Sequence, residues 1–227
     1  MLIRTIAVIL FSFCIQNAFA AQQKINNGVL QAYWRLVWNV PGTISTPALE
    51  LRYLVADQSG VVSIIMMESK QDDIKKIINK YFINIPKSFF EYKEGHVESI
   101  GDIIVDDLSP TEECGDKFSY ANFISFNPVV STEKIDIDVI QRATICEDSY
   151  PYIVGYTLKP DVKEVYLRKK PSIDADINGT VSERDVLIKI KTINKDWVLV
   201  GVYDSKGSDL VGKLKGYVEL KYLDLDN

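Results

Sequence analysis

The 227-residue sequence contains one histidine and three cysteines, and this scarcity limits the chemistry that is open to the protein. Any mechanism that needs histidine as a base must use His96. The chain has no C-x-x-C pair and no thiol–imidazole cluster of the kind that binds zinc. It also lacks the G-x-S-x-G turn that presents a serine nucleophile. We therefore predict that the protein is not an enzyme, and we expect no metal and no cofactor.

Long apolar segments are missing after the N-terminal 20 residues, and acidic residues outnumber basic ones. The 26 Lys and Arg against 31 Asp and Glu give a formal net charge of -5. A nucleic-acid-binding protein normally carries a basic surface instead. A hydrophobic content of 47% and a charged content of 25% are typical of a water-soluble globular protein. We therefore expect that the protein does not bind nucleic acid and does not insert into a membrane.

Residues 1–20 have the pattern of a secretory signal peptide. Arg4 provides a short positive start, residues 6–13 form an apolar run, and Ala18-Phe19-Ala20 is an A-x-A cleavage site. The apolar run is shorter than the roughly 20 residues that span a bilayer. The alternative is an uncleaved N-terminal anchor. We expect cleavage before Ala21 and a mature protein that is periplasmic or secreted.

Cleavage removes Cys14 and leaves Cys114 and Cys146 as the two cysteines of the mature chain. Exported proteins fold in an oxidising compartment, where paired cysteines form disulfides. We therefore predict a Cys114–Cys146 disulfide. The alternative is two separate buried thiols.

The N-terminal part of the mature chain combines one helical pattern with several strand-like patterns. Between residues 71 and 82, isoleucine and aromatic residues recur with the spacing of one helical face, and Ser69 is the expected N-cap. Alternating or continuous apolar runs predict strands at 48–56, 60–67, 118–126, 139–146 and 152–158. One helix beside several hairpin-spaced strands predicts an α+β domain with antiparallel strands.

From about Val165 onward, the chain is a series of short strand-like runs separated by turns. Residues 185–192 and 196–203 are the clearest of these runs, and Lys169-Lys170-Pro171-Ser172 is a typical turn. Closely spaced strands over about 60 residues predict a small all-β barrel. The conspicuous elements are, in order, Val165-Tyr166-Leu167-Arg168, Pro171-Ser172, Ile177-x-Gly179-Thr180-Val181, Asp196-Trp197-Val198-x-Val200, Gly216-Tyr217-Val218 and Tyr222-Leu223.

The order and spacing of these elements resemble the bacterial SH3-like domain over roughly residues 162–226. The resemblance implies a barrel that binds a cell-wall peptide or docks a protein partner. Within it, Trp197 and Tyr217 are expected in the core or the wall of a groove, and Tyr203 is the candidate for an exposed ligand contact.

These patterns divide the chain into a signal peptide (residues 1–20), an α+β domain (21–160) and an SH3-like domain (161–227). Lys159-Pro160-Asp161 is the expected boundary, since proline and aspartate favour turns. Because its strand runs are short and local, we expect the segment from about residue 162 to 227 to fold alone.

An acidic stretch in the N-terminal part is the candidate partner-binding surface. Between residues 102 and 116 the chain has six acidic and no basic side chains, and such a field would steer a basic partner. The alternatives are a solvated acidic loop that binds nothing and a glycosidase with two facing carboxyl groups. The acidic residues are Asp102, Asp106, Asp107, Glu112, Glu113 and Asp116.

Taken together, the patterns predict an exported, periplasmic, non-enzymatic binding protein. Its partner is expected to be a peptidoglycan peptide or an envelope protein that binds the SH3-like module. The alternative function is an inhibitor or immunity protein that neutralises an envelope-targeted toxin enzyme, which is an argument by analogy.

Overall fold

A computed structural model describes residues 21–37, 46–56, 62–113, 116–129 and 150–226 of the chain. Over these ranges the protein is mostly β, with one sheet closed into a five-stranded barrel and a second sheet of seven strands. The barrel strands are β1 (Gln23–Val37), β2 (Thr46–Ala56), β3 (Val62–Met67), β4 (His96–Glu113) and β5 (Asp116–Pro128).

The barrel has the strand order β1-β2-β3-β5-β4, with β4 closing against β1. Its neighbouring strands are antiparallel except β3 and β5, which run parallel. Three consecutive strands with the fourth returning beside the first form a Greek key, and a five-stranded Greek-key barrel is the architecture of the OB-fold. OB-folds bind oligonucleotides or oligosaccharides on the face of their second and third strands. Here the outward-facing Arg52, Leu54 and Ile64 of those strands are at most 1% exposed, so that face is covered.

The interior of the barrel follows from strand alternation. Leu30, Ala32 and Trp34 of β1 point inward, as do Leu49, Leu51 and Tyr53 of β2, because every second side chain of a strand lies on one face. Helix α1 (Gln71–Tyr81) packs on this core through Ile74 and Ile78, which are at most 2% exposed. A second, five-residue helix, α2 (Lys87–Glu91), adds Phe89.

The predicted N-terminal α+β domain is wrong, because this part of the chain is a β-barrel with one 11-residue helix packed on it. The helix itself is confirmed, although its N-cap is Lys70 rather than Ser69 and makes no side-chain capping bond. The main error concerned β4, whose acidic residues suggested a loop. Gly101, Ile103 and Val105 of this strand are buried, and Asp102 and Asp106 occupy the alternate positions.

The second sheet has the order β12-β6-β9-β10-β11-β7-β8. It has two edge strands, β12 and β8, where a closed barrel was expected. Its core contains Leu167, Leu187, Val198, Val200 and Val218, all at most 1% exposed. The strands are β6 (Gly155–Leu158), β7 (Glu164–Arg168), β8 (Ile177–Ser182), β9 (Leu187–Thr192), β10 (Trp197–Tyr203), β11 (Val211–Glu219) and β12 (Leu223–Asp226).

Strand β6 belongs to this second sheet although it precedes the expected boundary at Pro160. It lies between β12 and β9 and pairs with both, and Tyr156 and Leu158 are part of the core. The position of the boundary stays a prediction, and β6 provides the physical reason to test it.

Candidate functional site

The main candidate site is a concave surface at one end of the second sheet, which we call the aromatic groove. It encloses about 230 Å³ and combines three aromatic side chains with two carboxylates and one guanidinium. Its lining residues are Glu164, Val165, Tyr166, Arg168, Trp197, Glu219 and Tyr222.

Three strands and one turn bring these side chains together. Glu164, Tyr166 and Arg168 alternate along β7, so they share one face of the strand while Leu167 points into the core. Trp197 opens β10 directly opposite Glu219 at the end of β11. Tyr222 follows in the short 3-10 helix of residues 220–222.

The groove offers aromatic surface beside negative charge. Tyr166 is 47% exposed, whereas Trp197 is 9% exposed and forms the floor. Glu219 accepts a hydrogen bond from Lys221 Nζ at 2.9 Å, and this bond raises the pKa of the lysine. Glu164 has no ion pair within the described ranges and is exposed. Lys221 Nζ also lies 4.7 Å from the centroid of the Tyr222 ring, so it occupies one carboxylate and one aromatic face of the groove. The carboxylate of Glu164 and the exposed face of Tyr166 are left for a cationic side chain of a ligand.

Arg168 sets the other wall of the groove. Its Nη1 donates a hydrogen bond to the carbonyl oxygen of Ala175 at 2.8 Å, which fixes the guanidinium against the turn between β7 and β8. The side chain is only half-buried, so its charge also faces the groove. A peptide ligand could place its cationic group near Glu164 and a backbone carbonyl near Arg168.

A second concave region, which we call the seam cavity, lies where the barrel meets the second sheet. It also encloses about 230 Å³ and is lined by residues of both units. They are Glu94, Gly95, His96, Tyr152, Ile153, Ile188, Lys189, Ile190, Asp209 and Val211.

Glu94 joins the two units at this seam. Its carboxylate accepts hydrogen bonds from the backbone N–H and the hydroxyl of Thr192, at 2.9 and 2.6 Å. Lys189 Nζ lies 3.0 Å from the same carboxylate, and the two side chains are only 9% and 16% exposed. Nearby, the Tyr92 hydroxyl donates to the Ile193 carbonyl at 3.2 Å. One carboxylate, just before β4, therefore contacts both the middle and the C-terminal end of β9.

Replacing Glu94 with alanine is expected to lower the free energy of unfolding by about 2 kcal/mol. Removing one partner of a buried ion pair leaves the other charge uncompensated, and the slight exposure of Lys189 reduces that cost. The measurement is urea denaturation followed by tryptophan fluorescence. Lys163→Ala is the control, since its pair with Glu183 is exposed and should contribute less than about 1 kcal/mol. Equal effects of the two substitutions would contradict the assignment.

The structure spreads the acidic candidates along the β4–β5 hairpin. Asp102 accepts hydrogen bonds from Lys24 Nζ at 2.8 Å and from the Asn27 backbone N–H at 3.1 Å, and the lysine lowers its pKa. Asp107 accepts a hydrogen bond from the Asn122 side chain at 3.0 Å. Asp106 has one buried carboxylate oxygen without a hydrogen-bond partner in the described part of the chain.

Glu112 and Glu113 end β4, and their side chains lie outside what the structure describes. Asp102 and Glu113 are eleven residue steps apart along β4, which at about 3.3 Å per step is roughly 36 Å. The acidic candidates therefore do not form one compact site. Asp102 and Asp107 already serve the barrel itself, so the hypothesis that this stretch binds a partner depends mainly on its far end.

Several other sequence predictions lie outside the described residues. They are the signal peptide at residues 1–20, the strand at 139–146 and the Cys114–Cys146 disulfide. Tyr203 is described: it is 46% exposed and lies opposite Val211, at the far end of β10 from Trp197. Six residues of strand place it about 20 Å from the aromatic groove, near the rim of the seam cavity.

His96, the single histidine of the sequence, lies in a strand. It begins β4, its ring centroid lies 4.0 Å from that of Tyr152, and its Nε2 lies 3.1 Å from a Glu98 oxygen. Sequence analysis also missed Glu164 and Tyr166 as groove residues. The alternation of Glu164-Val165-Tyr166-Leu167-Arg168 was the available signal, because it places a tyrosine on the outward face of a strand.

Comparison of the chain with protein-family models, with curated proteins and with solved structures found no match. Among the described residues, no helix has the length and apolar character needed to cross a membrane. In the same ranges no group of three or more His, Cys, Asp and Glu side chains is placed to hold a metal ion.

Proposed function

We propose that the protein is an exported, non-enzymatic binding protein whose aromatic groove takes a peptide with a cationic side chain. The peptide belongs to the cell wall or to an envelope protein. The observation that carries the proposal is the half-exposed Tyr166 near Trp197, with the exposed carboxylate of Glu164 in the same groove.

The expected binding mode combines two modest attractions. A cation over an aromatic face contributes about 0.5–2 kcal/mol, with more at desolvated sites. A carboxylate at the same site adds an ion pair and favours ammonium or guanidinium over a neutral group. Tyrosine and tryptophan also supply large contact areas with few rotatable bonds, which lowers the entropic cost of binding.

The arrangement around His96 supports a binding role over catalysis. A nucleophilic mechanism needs a base within hydrogen-bond reach of a serine or cysteine. The His96 imidazole contacts Glu98 and packs against the Tyr152 ring, and it lines the seam cavity rather than the aromatic groove. The groove itself presents aromatic, carboxylate and guanidinium groups that suit recognition.

Replacing Tyr166 with alanine is expected to weaken binding of a lysine-containing wall peptide about tenfold, which corresponds to about 1.4 kcal/mol. The measurement is isothermal titration calorimetry with soluble wall-peptide fragments. A second titration uses the same fragments with their amines acetylated, which should bind at least tenfold more weakly.

Tyr203→Ala is the matched control for this experiment. The two tyrosines are 47% and 46% exposed, and both lie on the second sheet, but only Tyr166 lines the aromatic groove. We expect the Tyr203 variant to bind within twofold of the unmodified protein. If Tyr203→Ala weakens binding and Tyr166→Ala does not, the ligand lies at the other end of β10 and the proposal is wrong.

A further inference from the structure

The seam cavity is lined by charged groups of both signs. Contacts within the protein use only part of the hydrogen-bonding capacity of these groups. Asp209 accepts a hydrogen bond from the Tyr152 hydroxyl through one oxygen, at 2.9 Å, and its other oxygen has no partner within the described ranges. Lys189 contacts Glu94 and retains further N–H donors, since an ammonium has three. The cavity therefore offers one anionic and one cationic group with spare hydrogen-bonding capacity.

The remaining wall of the cavity is apolar. Ile153, Ile188 and Val211 line it, and Ile190 stands at the opening with 39% of its surface exposed. At about 230 Å³ the space is below the usual range for drug-sized ligands, roughly 300–1,000 Å³. The cavity thus suits a small molecule with two opposite charges and a short apolar part.

The backbone holds Asp209 in an unusual conformation. Asp209 and Leu210 have φ values of 49° and 57°, so two consecutive non-glycine residues adopt the left-handed region. The Asp204 N–H bonds the Leu210 carbonyl at 2.9 Å, and the Tyr152 hydroxyl bonds the Asp209 carboxylate. Strained residues of this kind cluster at ligand-binding positions. The strained turn therefore also supplies the Asp209 carboxylate oxygen that is available to a ligand in the cavity.

We propose that the seam cavity binds a free α-amino acid with a small apolar side chain. The ligand's carboxylate contacts Lys189, its ammonium contacts Asp209, and its side chain packs on Ile188 and Val211. This site shares no lining residue with the aromatic groove, so either proposal can be correct without the other.

The single histidine makes the cavity observable in the full mature chain. His96 lines the cavity, and its ring gives the only imidazole resonances of the protein in an NMR spectrum. We expect L-alanine or D-alanine to shift these resonances saturably. Acetate and methylammonium each carry only one of the two charges, and each should bind at least tenfold more weakly. No saturable shift with alanine, or equal affinity for acetate, would overturn the proposal.

Asp209→Asn is the decisive variant, because asparagine tolerates the left-handed conformation and can still accept the Tyr152 hydrogen bond. We expect it to raise the Kd for alanine at least tenfold. Asp204→Asn, in the same turn but outside the cavity, should change the Kd less than twofold. An unchanged Kd in Asp209→Asn would contradict the assignment.

A second variant tests the site independently, in case Asp209→Asn affects folding. Ile190 is half-exposed at the cavity opening, so Ile190→Trp should fill the space without disturbing the core. We expect it to abolish the alanine-induced shift, whereas Tyr166→Ala in the aromatic groove should leave the shift unchanged. Undiminished alanine binding in Ile190→Trp would place the ligand elsewhere.

Discussion

A fragment of residues 150–227 is expected to unfold cooperatively, whereas a fragment of residues 162–227 is expected to be largely unfolded at 25 °C. The shorter fragment lacks β6, which lies between β12 and β9 and pairs with both. It also loses Val154, Tyr156 and Leu158, whose side chains are at most 9% exposed in the core of the second sheet.

The expected difference in free energy of unfolding is about 5 kcal/mol, because each buried apolar side chain contributes roughly 1.5–3 kcal/mol. A domain of this size has about 5–15 kcal/mol in total, so the loss should remove most of its stability. Circular dichroism with urea titration of both fragments is the measurement. Equal stability of the two fragments would show that β6 contributes little and would support a domain boundary at Pro160.

Replacing Gly101 with alanine is expected to destabilise the barrel by more than about 3 kcal/mol, at the upper end of what overpacking costs. A Cβ atom at this position would lie 2.2 Å from the backbone oxygen of Asn127 on β5 and 2.8 Å from the Phe126 ring. Gly101 also accepts a hydrogen bond from the Tyr53 hydroxyl at 2.7 Å, so its backbone has little freedom to move away. The change should weaken the pairing of β4 with β5.

Thermal unfolding of the mature protein checks this expectation, with Gly95→Ala as the control. Gly95 has a φ of 74° and no atoms within 4 Å of an added Cβ, so alanine there costs only backbone strain of about 1 kcal/mol. The expected order of stability is unmodified protein, then Gly95→Ala, then Gly101→Ala. A Gly101 variant as stable as the Gly95 variant would mean that β4 and β5 separate easily at this point.

In the elements that sequence analysis predicted correctly, the apolar residues follow a single clear pattern. Helix α1 carries a single apolar stripe, and β2, β3 and β5 have apolar runs that fit strands. Strand β4 was missed because its inward positions include glycine and serine, so the apolar alternation is interrupted just where acidic residues begin. Closure of the barrel could not be predicted, since it depends on the long-range pairing of β1 with β4.

The candidate sites show the same division between local and long-range information. Trp197 was expected in the core or a groove wall, and it is the buried floor of the aromatic groove. Its pairing with Glu219 and its proximity to Tyr166 depend on the order of the strands in the sheet. The seam cavity could not be anticipated at all, because Glu94 and Lys189 are about 95 residues apart and meet only when the two units pack together.

Binding of a cationic peptide in the aromatic groove can be followed through the indole signals of the three tryptophans. In a ¹⁵N NMR titration with a lysine-containing wall peptide, we expect the Trp197 indole signal to shift saturably. Trp34 is 5% exposed inside the barrel, and its indole signal should stay unchanged. Saturable shifts confined to the β4–β5 hairpin, with Trp197 unaffected, would instead place the binding site on the acidic surface of the barrel and rule out the aromatic groove.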